Sequence, residues 1–290
     1  MTGGTIGSRV NDNIISLQGV SPYRLIELYK SAYKADDICF DVIEPYTVMS
    51  ENMSLNVYPR LMKAVKDAVD GVTKYDGIII THGSDTLQYT AAFLYFTMRN
   101  MGLPIMLVAS NYVLDDERAN GLANMDAAVR FCREKGSGGV FVPYRNKDGV
   151  TYIHSGGKLL EHLTDDDDLY DYKGSVSDEI YDIPDEIEEG RVLMLFAYPS
   201  MIYPVSLLES GNVKAVIHRT YHSGTVCGVS QELKSFMEEA GKRDIKVYVP
   251  AIHGETAYES TKIYDELGMI RSDEAPISLY ARLCLKYGSR

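Results

Sequence analysis

The chain has no tryptophan, no apolar run of about 18 residues or more, and no cysteine pair at CxxC spacing. Without a long apolar run there is no membrane-spanning helix to place. No basic start followed by an apolar stretch opens the sequence, so no secretory signal is legible. Cys39, Cys132, Cys227 and Cys284 lie far apart and fit no Cys/His metal spacing. They read as reduced, buried thiols of a cytoplasmic protein with no metal. Positive charge is scarce: 29 Lys and Arg face 41 Asp and Glu, a formal net charge of −12. An acidic surface repels phosphate backbones and anionic lipid, so neither nucleic acid nor membrane is an expected partner. The lack of tryptophan beside 22 tyrosines carries no functional reading.

What is present is an alternation. The 290 residues are 45% apolar, enough for one large domain or two ordinary ones. Short β-branched runs read as buried strands: "YDGIIITHG", "LPIMLVAS", "GGVFVPY", "VLMLFAYP", "VKAVIH" and "IKVYVPAI". "CFDVIEPYTV" is strand-like as well. Between them lie helical patterns: "SPYRLIELYKSAY", "NVYPRLMKAVKDAVDG", "DTLQYTAAFLYFTMRNMG" and "VSQELKSFMEEAGKRD". Strand–helix–strand alternation predicts an α/β fold with a mostly parallel sheet. The aperiodic acidic stretch over 164–190 predicts a solvated connection between two α/β domains, with an acidic loop inside one domain as the alternative. The expected division is 1–165, a linker over 166–189, and a smaller domain over 190–290.

In an open α/β sheet, ligands bind beyond the carboxyl ends of the strands. After "GIII" come Thr81, His82, Gly83, Ser84, Asp85 and Thr86, three hydroxyls, an acid and a glycine in one turn. A hydroxyl beside a carboxylate can orient or activate a nucleophile. Asp85 can equally be the N-cap of the next helix. A second hydroxyl-rich loop, "TGGTIGS", covers residues 2–8, where glycines let backbone approach a ligand. It has neither the Lys-Ser/Thr of a P-loop nor G-x-G-x-x-G. A third is "SENMS", Ser50 to Ser54.

The order and spacing of these loops resemble the bacterial-type L-asparaginases, the asparaginase/glutaminase amidohydrolases. That family carries "TGGTI" near its start and "HGTDT" about eighty residues on; here "TGGTI" occupies 2–6 and "HGSDT" 82–86. "DGIIITHGSDTLQYTA", "GLPIMLVAS" and "ERANGLANMDAAV" also fit the family pattern, and the likeness spans essentially the whole chain. The resemblance implies two α/β domains, the first larger, in a homodimer or homotetramer whose active sites lie between subunits. It implies hydrolysis of a side-chain amide to acid and ammonia without a cofactor. Matched position by position, Thr5 is the nucleophile, and Ser84 stands where a second threonine is usual. Asp85 is its acid partner, Ser50 holds the substrate's α-carboxylate, and Glu51 replaces a glutamine that contacts the α-amino group. The threonine hydroxyl needs help to lose its proton, and the developing oxyanion needs backbone N–H donors close by.

Two departures qualify the match. The family has a buried strand directly before "TGGTI", whereas Met1 abuts the loop here. The resemblance therefore implies a truncated start, with about five strand residues lacking and Thr5 on a poorly anchored end. The family also has a lysine in a G-x-R-x-x-K pattern, bonded to the acid of the second motif. This chain reads Gly156-Gly157-Lys158-Leu159-Leu160-Glu161-His162, so Lys158, His154 or His162 would have to substitute, or remain plain surface groups. The expected activity is L-asparagine hydrolysis. The alternatives are hydrolysis of glutamine or another small amide, a catalytically weak amino-acid-binding protein, and, ranked last for so short and acidic a chain, the ammonia-producing subunit of a tRNA-dependent amidotransferase.

Overall fold

A computed structural model of the protein describes residues 2, 6, 23–134, 137–162, 168–250 and 258–290, with the backbone of 9–11 and 14–16. These fall into two compact units, Met1–Asp171 and Tyr172–Arg290. Among the described residues no helix is long and apolar enough to cross a membrane.

In the first unit, β1 (Arg9–Asn11) and β2 (Ile14–Ser16) form a small antiparallel pair. The main sheet has the order β3-β4-β5-β6, with β3 Ile78–Thr81, β4 Pro104–Val108, β5 Gly139–Arg145 and β6 Thr151–Ser155. β3, β4 and β5 run parallel and β6 turns back antiparallel to β5. Four helices flank them: α1 Arg24–Tyr33, α2 Val57–Asp70, α3 Leu87–Met98 and α4 Gly121–Arg133. Alternation along β4 decides which face meets which helix. Met106 and Val108 join a cluster with Leu25 and Tyr29 of α1 and Met125, Ala128 and Val129 of α4. Helix α3 is buried on nearly every side, as its lack of a polar stripe requires, and its Phe93 stacks on Tyr58 of α2 at 4.1 Å.

The second unit has an all-parallel sheet: β7 Val192–Phe196, β8 Ala215–Arg219, β9 Lys246–Pro250 and β10 Ile270–Ser272, in the order β10-β9-β8-β7. Helices α5 Val205–Glu209, α6 Gln231–Lys242 and α7 Ile263–Glu266 contribute to the core on one face, with Leu208, Phe236 and Tyr264 over Val216 and Val247. Helix α8 Pro276–Gly288 covers the other, placing Leu279 and Leu283 on Ala215 and Ile217.

The fold is thus α/β in both units, with a larger amino-terminal one. Three expectations need correction. Of the four thiols expected to be buried, Cys132 and Cys284 are, while Cys39 and Cys227 are exposed. Residues 172–189 of the expected solvated linker belong to the second unit. Ile187 is buried and bridges Ser289, and Glu179 pairs with Arg282. An acidic composition there hides anchors that face an arginine-bearing helix. "CFDVIEPYTV", residues 39–48, forms no strand. Among the described residues no other strand lies alongside to complete a ladder, and apolar character alone does not make one.

Candidate active site

Three hydroxyl-rich loops meet at the carboxyl end of β3. Thr81, its last residue, accepts at Oγ1 from the backbone N–H of Thr2 (3.3 Å), and the Thr2 hydroxyl donates to the Thr81 carbonyl. The Thr2 carbonyl in turn accepts from the N–H of Val48 at 3.2 Å. Thr2 is buried, and so is Ile6, which packs in the cluster of α1 and α4. Thr5 lies outside the described residues, but the chain on both sides of it is tied down. Thr2 is thus held by three long-range hydrogen bonds and Ile6 by an apolar cluster, where the expectation was a poorly anchored end.

The second contact joins Ser50 to Asp85. Ser50 is buried in a 3-10 turn, Ser50–Asn52, and its hydroxyl donates to Asp85 Oδ2 at 2.9 Å. The Thr86 hydroxyl donates back to the Ser50 carbonyl at 3.0 Å. Two reciprocal bonds therefore fix one loop against the other across 35 residues. The structure does not bear out the reading of Asp85 as the helix N-cap. Helix α3 starts at Leu87 with Thr86 as its N-cap residue, and no side chain caps it. The carboxylate is taken up by Ser50 rather than by helix N–H groups. Asp85 is exposed, Ser84 half-buried and Glu51 exposed beside Ser50.

Two sets of buried polar groups brace this end of the sheet. The His82 ring is buried, with Nδ1 2.8 Å from the Gly83 carbonyl and Nε2 2.8 Å from the Thr90 hydroxyl. A carbonyl only accepts, so Nδ1 carries the proton and Nε2 accepts from Thr90. Burial lowers the pKa of His82 and keeps it neutral. Beyond β4 and β5, Asn124 donates to the Ala109 carbonyl and accepts from the Arg145 N–H, at 2.9 and 2.7 Å. Asn120 donates to the Arg145 carbonyl, and its side chain and backbone exchange bonds with Asn111. These asparagines were not singled out from sequence; their signal was two Asn residues, poor helix formers, in and beside the amphipathic segment "ERANGLANMDAAV".

The turn carrying Lys158 stands beside α3: a Cβ on Gly156 would lie 3.0 Å from the Ala91 carbonyl. That close approach requires glycine. Lys158 itself is half-buried, and no described hydrogen bond or ion pair links it to Asp85. His154 is buried in β6 with Nδ1 3.2 Å from Asp171 Oδ1, and His162 lies against the Tyr144 ring. Neither histidine is brought to Asp85 by a described bond. Among the described residues no group of three or more His, Cys, Asp or Glu is placed to hold a metal ion.

Comparison with known proteins relates the sequence and the fold to a family. An L-asparaginase of Thermococcus kodakarensis is 33% identical over 146 residues, 44% of this chain and 43% of that protein. A glutamyl-tRNA(Gln) amidotransferase subunit of Metallosphaera sedula is 28% identical over 172 residues, 58% of this chain and 38% of that one. These matches span about two-fifths of each relative. By fold, the thermostable L-asparaginase from Thermococcus kodakarensis superposes with a TM-score of 0.75 at 21% identity, over 99% of this chain and 91% of that one. A probable cytoplasmic L-asparaginase from Campylobacter jejuni gives 0.74 at 22%, over 98% and 92%. The family model described as "Asparaginase, N-terminal" matches residues 1–165, more than half of the sequence, and the chain belongs to the asparaginase family.

Proposed function

We propose that the protein is an L-asparaginase, which hydrolyses the side-chain amide of L-asparagine to L-aspartate and ammonia. The observation that best supports this reading is the convergence of the three loops at the end of β3, through Thr2–Thr81 and Ser50–Asp85. In this reading the Thr5 hydroxyl attacks the amide carbon as its proton is withdrawn. The C–N bond then breaks, ammonia leaves with an added proton, and water hydrolyses the resulting ester. Ser84 and Asp85 assist the proton transfers. Glycines 3 and 4 let backbone N–H groups approach the oxyanion.

Ser50 gives the site a way to recognise an α-amino acid. Its one O–H proton is committed to Asp85 and cannot serve a second acceptor at once. A substrate α-ammonium group donates to Asp85 in its place, and the released hydroxyl turns to the α-carboxylate. Glu51 adds a second carboxylate toward the ammonium. Ligands with only one of the two charged groups lose one half of this exchange. The protein is further read as a cytoplasmic homodimer or homotetramer with no cofactor.

The names of several relatives support a second reading, in which the same chemistry frees ammonia for an amidotransferase. Ammonia release from asparagine and from glutamine, each supplied alone, tests the two. Faster turnover of asparagine supports the asparaginase reading. Turnover of glutamine alone favours the second, and no turnover of either by folded protein contradicts both.

A further inference from the structure

One short segment, residues 45–50, touches both motif loops of the candidate site. Arg60 of α2 fixes its start by donating to the Pro45 carbonyl at 3.0 Å. Along it Tyr46 is buried, Thr47 exposed, Val48 half-buried and Ser50 buried. An extended chain gives that alternation, and it sets Tyr46 and Ser50 on the same side. Ser50 donates to Asp85 of the second loop, as described above. The Val48 N–H donates to the Thr2 carbonyl of the first loop at 3.2 Å. Tyr46 turns its hydroxyl toward the Thr2 side chain.

The Tyr46 hydroxyl is the anomaly. It is buried, and among the described residues no hydrogen bond to it is complete. A buried O–H left unpaired costs stability, and phenylalanine would fill the same space without that cost. Packing therefore gives no reason for the oxygen. Thr2 supplies one. Its single proton goes to the Thr81 carbonyl, which leaves lone pairs on Oγ1 free to accept. Burial pushes the Tyr46 phenol well above its ordinary value of 10.0, so it keeps its proton to donate.

We propose that Tyr46 is a positioning residue for the loop that carries Thr5. Its O–H donates to Thr2 Oγ1 and completes a chain of donors from Tyr46 through Thr2 to the Thr81 carbonyl, which sets where the loop meets the end of β3. Tyr46 takes no part in the proton transfers. The segment divides its work: Tyr46 and Val48 place the nucleophile's loop, and Ser50 serves the substrate. The inference rests on the asparaginase reading, in which Thr5 is the nucleophile. A reacting hydroxyl that is slightly displaced loses rate while binding persists.

Steady-state kinetics of Tyr46→Phe with asparagine, measured beside its Tm, test this. The variant is expected to lower kcat about tenfold and to hold KM within about twofold. It is expected to melt no lower than the unaltered protein, because the ring is kept and an unpaired O–H is removed. A part in packing alone would leave kcat untouched, so an unchanged kcat overturns the proposal. A fall in kcat that comes with a lower Tm or a raised KM overturns it as well. Thr2→Val is expected to lower kcat too, and adding Tyr46→Phe to it to lower kcat no further; losses that multiply overturn a role through Thr2. If the unaltered protein releases no ammonia from asparagine, the asparaginase reading fails, and amide exchange decides the inference instead. Tyr46→Phe is then expected to speed exchange about tenfold at Val48, whose N–H bonds Thr2, and not at Met53, whose N–H bonds Ser50. Unchanged exchange at Val48 overturns it.

Discussion

His82 and His218 are buried in different units, each with both ring nitrogens engaged. His82 lies between Gly83 and Thr90, and His218 between the Arg219 carbonyl and the Tyr203 hydroxyl. Burial lowers both below the ordinary histidine value of 6.5. As pH falls through that value the unfolded chain takes up protons that the folded chain refuses. Stability is therefore full above about pH 6.5 and slopes downward as pH falls below it. Thermal unfolding between pH 7.5 and 5 is expected to show this slope, and His82→Gln to reduce it. A flat profile would place both rings in water. Ser50 is the other residue whose contacts make a sharp forecast. Its loss frees Asp85 and removes the donor for a carboxylate, so Ser50→Ala is expected to raise KM at least about tenfold, with a smaller change in kcat. Steady-state kinetics with asparagine checks the split.

The elements show where sequence reasoning reaches and where it stops. The strands β3, β4, β5, β7, β8 and β9 were legible because each is a short apolar run closed by glycine or a polar turn. β6 is half exposed and follows a tight turn in which Gly149 has φ +80°; its signal was the Asp-Gly pair, not hydrophobicity. β10 has three residues, too few for a period to register. Residues 39–48 misled in the opposite sense, since strand formation depends on a neighbour that local sequence does not report. The three hydroxyl loops could be read one by one. Their pairing could not, because Thr2–Thr81 and Ser50–Asp85 span 79 and 35 residues. The asparagine clamps behave alike: Asn124 joins the ends of β4 and β5 across 15 and 21 residues. Asn124→Leu would leave the buried Ala109 carbonyl and the Arg145 N–H without this partner and is expected to cost about 1–3 kcal/mol, measured by urea denaturation.

At the scale of the whole molecule, each unit has its own sheet and its own core. Arg282 anchors the second, held by buried Glu274 and by Glu179. Removing the guanidinium strands a buried carboxylate, so Arg282→Met is expected to cost about 3–5 kcal/mol. Because Asn124 and Arg282 share no partner, calorimetry of the double variant should show the two losses add. The net charge of −12 opposes association with tRNA, which sets the asparaginase reading apart from one that depends on holding RNA. The central claim is that the joined loops present Thr5 as a nucleophile, and ammonia release from asparagine by the unaltered protein, Thr5→Ser and Thr5→Ala tests it most directly. The account predicts turnover by the unaltered protein, a reduced but measurable rate with serine, which keeps the hydroxyl, and loss of activity with alanine. Undiminished turnover by folded Thr5→Ala would contradict it.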